Sequence, residues 1–198
     1  MTGLIAAVVL AAGKGHRWRG AGPKVLAPFE GRPLVAVAAD AALSSGATPV
    51  VVVAGDTFQA IRTCLSARPV HVVRNPDPGS GIAVSIRSGL EHVPADARGC
   101  LILLADMPLV RAVHVKRLQA AFEASGGDHI CVPTYRGRRG NPVLWPARYF
   151  TQLLNLQGDT GGRQLLKGQS GEVKDVEMDD DGVLVDVDTR EALAAVAR

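Results

Sequence analysis

Val8-Val9-Leu10-Ala11-Ala12-Gly13-Lys14-Gly15-His16-Arg17 leads from an apolar run straight into a loop of small and cationic residues that ends at Pro23-Lys24. The apolar part, residues 4–10, is short and has no polar alternation. That is the pattern of a strand buried on both faces of a sheet. Residues 50–54, 70–73, 100–104 and 130–132 repeat it. Between them lie segments with helical spacing, residues 33–44, 57–67, 81–92 and 113–124. Strand alternating with helix predicts right-handed βαβ crossovers and an α/β fold, three-layer α/β/α and Rossmann-like, around a mostly parallel sheet. Ligands of such sheets sit beyond the carboxyl ends of the strands. The loop after Leu10 is therefore the first place to look for chemistry.

After Pro133 the pattern changes. Residues 135–145 place a Gly-rich, basic centre between β-prone flanks, a small β-hairpin excursion. Two short helices are expected over 147–154 and 161–167. Residues 173–177 and 183–187 flank Asp179-Asp180-Asp181-Gly182, whose Asp-Gly end predicts another hairpin. A last helix starts near Thr189, with Thr189 as its N-cap. No linker, repeat or low-complexity tract interrupts the chain, so residues 1–198 read as one domain.

Composition narrows the function. The chain has 198 residues, 47% of them hydrophobic, enough for an ample core and too apolar for disorder. No uncharged apolar run approaches the ~20 residues that span a bilayer, and no basic residue precedes the first run as in a signal peptide. The net charge is +3 and the pI is about 9.0. Aromatics make up 4%, too few for a stacking platform, and the cations form no stripe, so a nucleic-acid strand is not an expected partner. Cys64, Cys100 and Cys131 are odd in number and apolar in context, which suits reduced thiols in the cytoplasm. The five His have no metal-ligand spacing. A soluble enzyme or small-molecule binder remains.

Small residues at 11, 12, 13 and 15 let the backbone approach a ligand and expose N–H groups to phosphate oxygens. Arg17 offers a planar fork and Lys24 a point charge to neutralise them. The same residues also suit a tight βα turn with surface cations. Two common phosphate motifs fail here: Trp18 stands where the dinucleotide fingerprint needs Gly, and Gly15 follows Lys14 where a P-loop needs Ser or Thr.

Leu10–Arg17 with Pro23-Lys24 resembles the nucleotide loop of the MobA-like nucleoside-triphosphate-transferase superfamily. Leu103-Leu104-Ala105-Asp106-Met107-Pro108-Leu109 resembles its strand end carrying a metal-binding Asp. Asp186-Val187-Asp188-Thr189-Arg190-Glu191-Ala192-Leu193 is similar to its C-terminal element, with a second metal ligand at Asp188. Gly79-Ser80-Gly81-Ile82-Ala83-Val84-Ser85 resembles the loop entering a nucleotide-contacting helix. Arg138-Arg139-Gly140-Asn141-Pro142-Val143-Leu144 and Gly158-Asp159-Thr160-Gly161-Gly162-Arg163-Gln164-Leu165-Leu166 look like the molybdenum-cofactor cytidylyltransferases. Ala12 also resembles that branch, and its side chain would narrow the base pocket toward a pyrimidine. The longer loop Trp18-Arg19-Gly20-Ala21-Gly22 is more like the sugar-phosphate enzymes.

The resemblance implies a Mg²⁺-dependent transfer of CMP from CTP to the phosphate of molybdopterin or its molybdenum form, with release of pyrophosphate. It implies nucleotide contacts at Leu10, Ala11, Ala12, Gly13, Gly15, Arg17, Lys24, Ser80, Gly81, Ser85 and Asp106. Arg17, Lys24 and Asp106 would be catalytic, and Asp106 and Asp188 would hold the metal. Acceptor contacts would come from Arg139, Gly140, Asn141, Asp159 and Gly161, and a molybdoenzyme would be the client of the product. Other acceptors stay open: molybdopterin with GTP, a sugar 1-phosphate, or 2-phospholactate. So do a non-catalytic nucleotide- or cofactor-binding protein and, less well supported, a nicotinamide-dependent redox enzyme. Residue by residue, Asp106 also suits a strand-end turn, Asp188 a helix cap, and Arg136, Arg138 and Arg139 a solvated surface.

Overall fold

The computed structural model describes residues 3–19, 21–159 and 161–197; Gly20 and Thr160, which fall in two of the quoted stretches, lie outside the described residues. The first half runs β1 (Ile5–Ala11), β2 (Pro28–Phe29), β3 (Arg32–Pro33), α1 (Leu34–Ser44), β4 (Val50–Ala54), α2 (Phe58–Cys64), β5 (His71–Arg74) and α3 (Ile82–Leu90). The second half runs β6 (Gly99–Leu104), α4 (Ala112–Ala124), β7 (Ile130–Tyr135), β8 (Arg138–Arg139), β9 (Val143–Pro146), α5 (Phe150–Leu154), α6 (Arg163–Gly168), β10 (Val173–Glu177) and α7 (Arg190–Val196).

Among the described residues the main sheet has the order β5-β4-β1-β6-β9-β7-β10, with β8 paired to β7. Strand β9 is antiparallel to both neighbours, and β8 to β7; the other pairings are parallel. The centre is β1, where Val9 is level with Val52 on one side and Leu103 on the other. Its alternating side chains explain the three layers. Ala7, Val9 and Ala11 face α1, α2 and α4, whereas Ala6, Val8 and Leu10 face α3 and α5. Both faces are covered, which is why the strands read as unbroken apolar runs.

From β1 the chain moves to β4 and β5 on one side and returns through α3 to β6 on the other. The carboxyl ends of β1 and β6 therefore flank a point where strand order reverses, the usual ligand crevice of an open α/β sheet. The β6–α4–β7 connection steps away from β1 in the opposite direction to β1–α1–β4, yet both helices lie in one layer. Its hand is therefore opposite, a departure from the uniform right-handedness expected.

The excursion over 135–145 is present as β8 and β9. The hairpin expected over 173–187 is not. Strand β10 pairs in parallel with β7, and the chain after the acidic turn forms a 3₁₀ turn at Asp181–Leu184. Tertiary partners override the Asp-Gly signal. Asp180 accepts from Gly182 N at 2.9 Å and pairs with Arg111. Val183 O then accepts from Asn141 N at 2.9 Å, and Val187 N donates to Asp106 O at 2.8 Å, drawing the segment across to β6 instead of back onto β10. A small hairpin missed in the sequence, β2–β3, turns through Glu30 and Gly31, both at positive φ. Thr189 caps α7 as expected, accepting from Ala192 N at 3.1 Å.

Cys100 and Cys131 are buried and Cys64 half-buried, all as free thiols. Burial pushes Cys100 up to about 12 and Cys131 up to about 11. Among the described residues no helix is long and apolar enough to cross a membrane.

Gly89 lets α3 approach the sheet: a Cβ there would lie 2.3 Å from Val8 Cγ1 and 3.0 Å from Val53 Cγ2. Alanine gains about 1 kcal/mol of helix propensity, but forcing a methyl into a packed interface costs about 1–3 kcal/mol. Gly89→Ala is expected to lower the unfolding free energy in urea despite the better helix former; an increase would show that α3 can ride outward freely.

Candidate active site

Strand β1 delivers Ala12 and Gly13 to the crevice. A Cβ at Gly13 would meet no protein atom within 4 Å, and its φ is not left-handed. Neither packing nor backbone conformation demands glycine at this position. Gly15 differs: its φ of 58° turns the loop, and Trp18 N donates to Gly15 O at 2.8 Å. The chain then returns to Lys24, the first residue of a 3₁₀ turn.

Three distant parts of the chain meet at Lys24. Its Nζ lies 2.7 Å from Asp106 Oδ2 and 3.1 Å from Asp188 Oδ1, while Arg17 Nη2 lies 2.5 Å from Asp188 Oδ2. The Lys24 side chain is only 9% exposed. Asp106 stands just past the end of β6, and Asp188 is carried in by the Val187–Asp106 backbone bond. Burial opposes the charge on Lys24, but Asp106 and Asp188 outweigh it and raise its pKa. Burial likewise works against Asp188, yet hydrogen bonds from Lys24 and Asp186 and the charges of Lys24 and Arg17 hold it below the usual carboxylate range. Asp186 moves the other way, raised by burial, by its hydrogen bond to Asp188 and by the charges of Asp188 and Asp106.

Two cavities adjoin this cluster. One, of about 400 Å³, is lined by Leu10, Ala12, Gly13, Lys14, Lys24, Gly81, Ser85 and Asp106. The other, of about 430 Å³, has apolar walls from Ile86, Ile102, Val132, Val143, Trp145 and Leu166, with Arg139, Asn141, Arg163 and Lys167 also lining it. They share Leu10, Ile82, Leu104 and Asp159. A larger cavity of about 490 Å³, near Phe29, Arg32 and Arg111, lies apart from this cluster. Its two arginines are already paired, Arg32 with Asp40 and Arg111 with Asp180.

Most residues singled out in the sequence come together. Gly140, Asn141, Asp159 and Gly161 join Arg139 at the second cavity, although Arg139 already holds Asp175 through two bonds, at 2.7 and 3.1 Å. Gly81 has a φ of 95°, and a Cβ there would strike Gly158 C at 2.4 Å. Five residues line neither cavity: Arg17 and Asp188 belong to the ion-pair cluster, and three more lie apart. Ala11 is buried in the α1 layer, Gly15 packs behind Lys24, and the exposed Ser80 bonds to the Asp77 carboxylate. Helix α6 has only six residues, so the Gly158–Gly161 turn has little helix dipole behind it. Trp145 is a core residue, 1% exposed, and Trp18 packs on the cluster around Val187 and Leu193.

Sequence reasoning missed Lys14, Asp186, Arg163 and Lys167. Lys14 sat in plain view inside the glycine loop, and Asp186 is two residues before Asp188; neither had a local signal placing it at the cavity or the carboxylate cluster. Among the described residues no group of three or more His, Cys, Asp or Glu is arranged to hold a metal. Asp106 and Asp188 instead converge as a pair on one cationic point. That donor set suits a hard divalent cation when phosphate oxygens and water complete its shell.

Residues 7–175 match the MobA-like NTP transferase domain. The chain belongs to this family. With it come the nucleotidyltransferase class and the Rossmann-like fold. The chain is 30% identical to nicotine blue oxidoreductase from Paenarthrobacter nicotinovorans, over 96% of its own length and 94% of the relative's. It is 36% identical to the bifunctional protein GlmU of Sorangium cellulosum over 66% of its length, but spans only 28% of that relative. Among solved structures, Rv0371c of Mycobacterium tuberculosis H37Rv superposes with a TM-score of 0.85 at 26% identity, covering 100% of this chain and 99% of that one. A manganese complex of Rv0371c superposes with a TM-score of 0.82 at 26% identity, covering 98% of each chain.

Removing Lys24 would leave like charges facing one another. Losing one partner of a fully buried pair costs about 3–5 kcal/mol; with Asp106 and Asp188 about a quarter exposed, Lys24→Met is expected to cost about 1–3 kcal/mol at pH 7. Because Asp188 is held below its ordinary value of 3.8, its share of the stability is present above that value and disappears as pH falls through the lowered one. The gap between Lys24→Met and wild type in urea denaturation should therefore narrow toward pH 3. A gap independent of pH would mean the cluster contributes nothing electrostatic.

Proposed function

We propose that the chain transfers CMP from CTP to the phosphate of molybdopterin, or of its molybdenum form, with release of pyrophosphate. The observation that carries this reading is the pair of adjoining cavities: a glycine loop beside Lys24 and two carboxylates, then apolar walls among cations. An acceptor phosphate oxygen would attack the α-phosphorus of the nucleotide as the bond to the pyrophosphate oxygen breaks. The acceptor is already anionic, so positioning and charge neutralisation suffice without a general base. Lys24 would leave its carboxylates for the α-phosphate, and Arg17, 75% exposed, would swing to the β- and γ-phosphates. Ser80, Gly81 and Ser85 would meet ribose or phosphate. Mg²⁺ between Asp106 and Asp188 would neutralise charge on the phosphate oxygens.

Ala12 beside Leu10 supports a pyrimidine base, since its side chain takes space a purine would need. Arg139, Gly140, Asn141, Asp159 and Gly161 would form the acceptor side. Walls that include Trp145, with Arg139, Arg163 and Lys167 around them, suit a flat ring bearing a phosphate. A sugar phosphate would need many hydroxyl partners, and among the described residues only Asn141 and Asp159 add polar side chains to the three cations. The product would pass to a molybdoenzyme in the cytoplasm, with residues 1–198 working as one domain. A second reading, a redox enzyme with a nicotinamide dinucleotide lying across both cavities, is favoured by the near full-length likeness to nicotine blue oxidoreductase.

Purified protein with CTP, Mg²⁺ and molybdopterin should release pyrophosphate, and Asp106→Ala should reduce the rate at least ~10³-fold, as expected for lost electrostatic stabilisation of the transferring phosphoryl group. Release only with GTP, a sugar 1-phosphate or 2-phospholactate would change the substrate assignment; NADPH oxidation without pyrophosphate would favour the redox reading. A thermal-shift series with CTP, GTP, UTP, ATP and NADPH gives the base directly, since a ligand at 100 times its Kd adds about 2.7 kcal/mol.

A further inference from the structure

Asn75 is 2% exposed, one residue past the end of β5, and absent from the lining of either cavity, yet its backbone N and both polar atoms of its amide are hydrogen-bonded. Its backbone N donates to Ala54 O at 2.8 Å. Its Oδ1 accepts from Asp77 N at 2.8 Å, and its Nδ2 donates to Ser85 Oγ at 2.8 Å. The Asp77 N–H can only donate, so it fixes which end of the amide is oxygen and which is nitrogen. The amide therefore presents N–H, not a carbonyl, to Ser85.

That polarity decides what Ser85 can do. Ser85 is 6% exposed and lines the cavity beside Lys24 and Ala12. With Asn75 filling one acceptor site on Oγ, the hydroxyl proton must point elsewhere, and among the described residues it meets no protein acceptor. We propose that Asn75 is a positioning residue that fixes the Ser85 hydroxyl as a hydrogen-bond donor into the nucleotide cavity, aimed at an oxygen acceptor of the bound nucleoside triphosphate. The inference rests on the nucleotide site proposed above. Asn75 itself touches no ligand; it acts through Ser85. The same amide, through Asp77, also holds the turn in which Asp77 accepts from Gly79 N at 3.2 Å, so one buried side chain sets both the lip of the cavity and the donor inside it.

Asn75→Asp tests the polarity with almost no change of shape: the carboxylate still accepts from Asp77 N but now draws the Ser85 proton to itself. Asn75→Ala removes the donor without adding a charge and serves if the first variant does not fold. The readout is the calorimetric Kd for CTP, GTP, UTP and ATP with Mg²⁺, with melting temperatures as a check on folding. For whichever triphosphate binds wild type, Ser85→Ala and Asn75→Asp should each weaken binding about tenfold, the scale of one lost hydrogen bond. The double variant should be no weaker than Ser85→Ala alone, which a merely structural role for Asn75 would not produce. Asn75→Ala should show a smaller loss than Asn75→Asp, since the hydroxyl is then free to rotate back. Wild-type affinity in Asn75→Asp or Ser85→Ala, or losses that add in the double variant, would overturn the proposal while leaving the nucleotide site standing. No triphosphate binding by wild type would overturn both.

Discussion

One ammonium group joins parts of the chain that are otherwise strangers. Lys24 follows the first strand, Asp106 follows its neighbour β6, and Asp188 belongs to the segment before the last helix. Carboxylates from two such places would repel if left alone at this separation, and partial burial would worsen it. The lysine makes their proximity stable, and that proximity in turn fixes where the C-terminal segment crosses the molecule. The Val187–Asp106 backbone bond lies on that crossing, and the final helix is seated where it ends.

The inner strands were readable because they are covered on both faces, so that 50–54 and 100–104 show nothing but small and branched apolar residues. The helices between them were readable for the complementary reason, since only one side of each must be apolar. Residues 183–187 misled because an Asp-Gly pair between two β-prone runs is a local signal, whereas the deciding partners, Arg111, Asn141 and Asp106, are remote in the chain. Hairpin β2–β3 escaped notice because each of its strands has only two residues.

The candidate site divides in the same way. Gly13, Lys24, Asp106 and Asp188 were legible because their roles depend on residue type at the end of a strand or loop. Lys14 and Asp186 were written just as plainly, but whether a side chain faces inward or outward in irregular backbone is set by tertiary contacts. Asn75 was invisible for a further reason. An asparagine before a proline reads as an ordinary turn residue, and only the coordinates show that its amide is sealed inside and oriented.

Gly81 and Gly158 press together so closely that no side chain fits at Gly81. Gly81 lines the first cavity, and the contact leaves little freedom for inherited change there. The more exposed lining of the second cavity, at Arg163, Leu166 and Lys167, faces no such limit. Over generations, substitutions should accumulate along those positions while the glycine contact stays still. A lineage can thus reshape one chamber without disturbing the chamber next door.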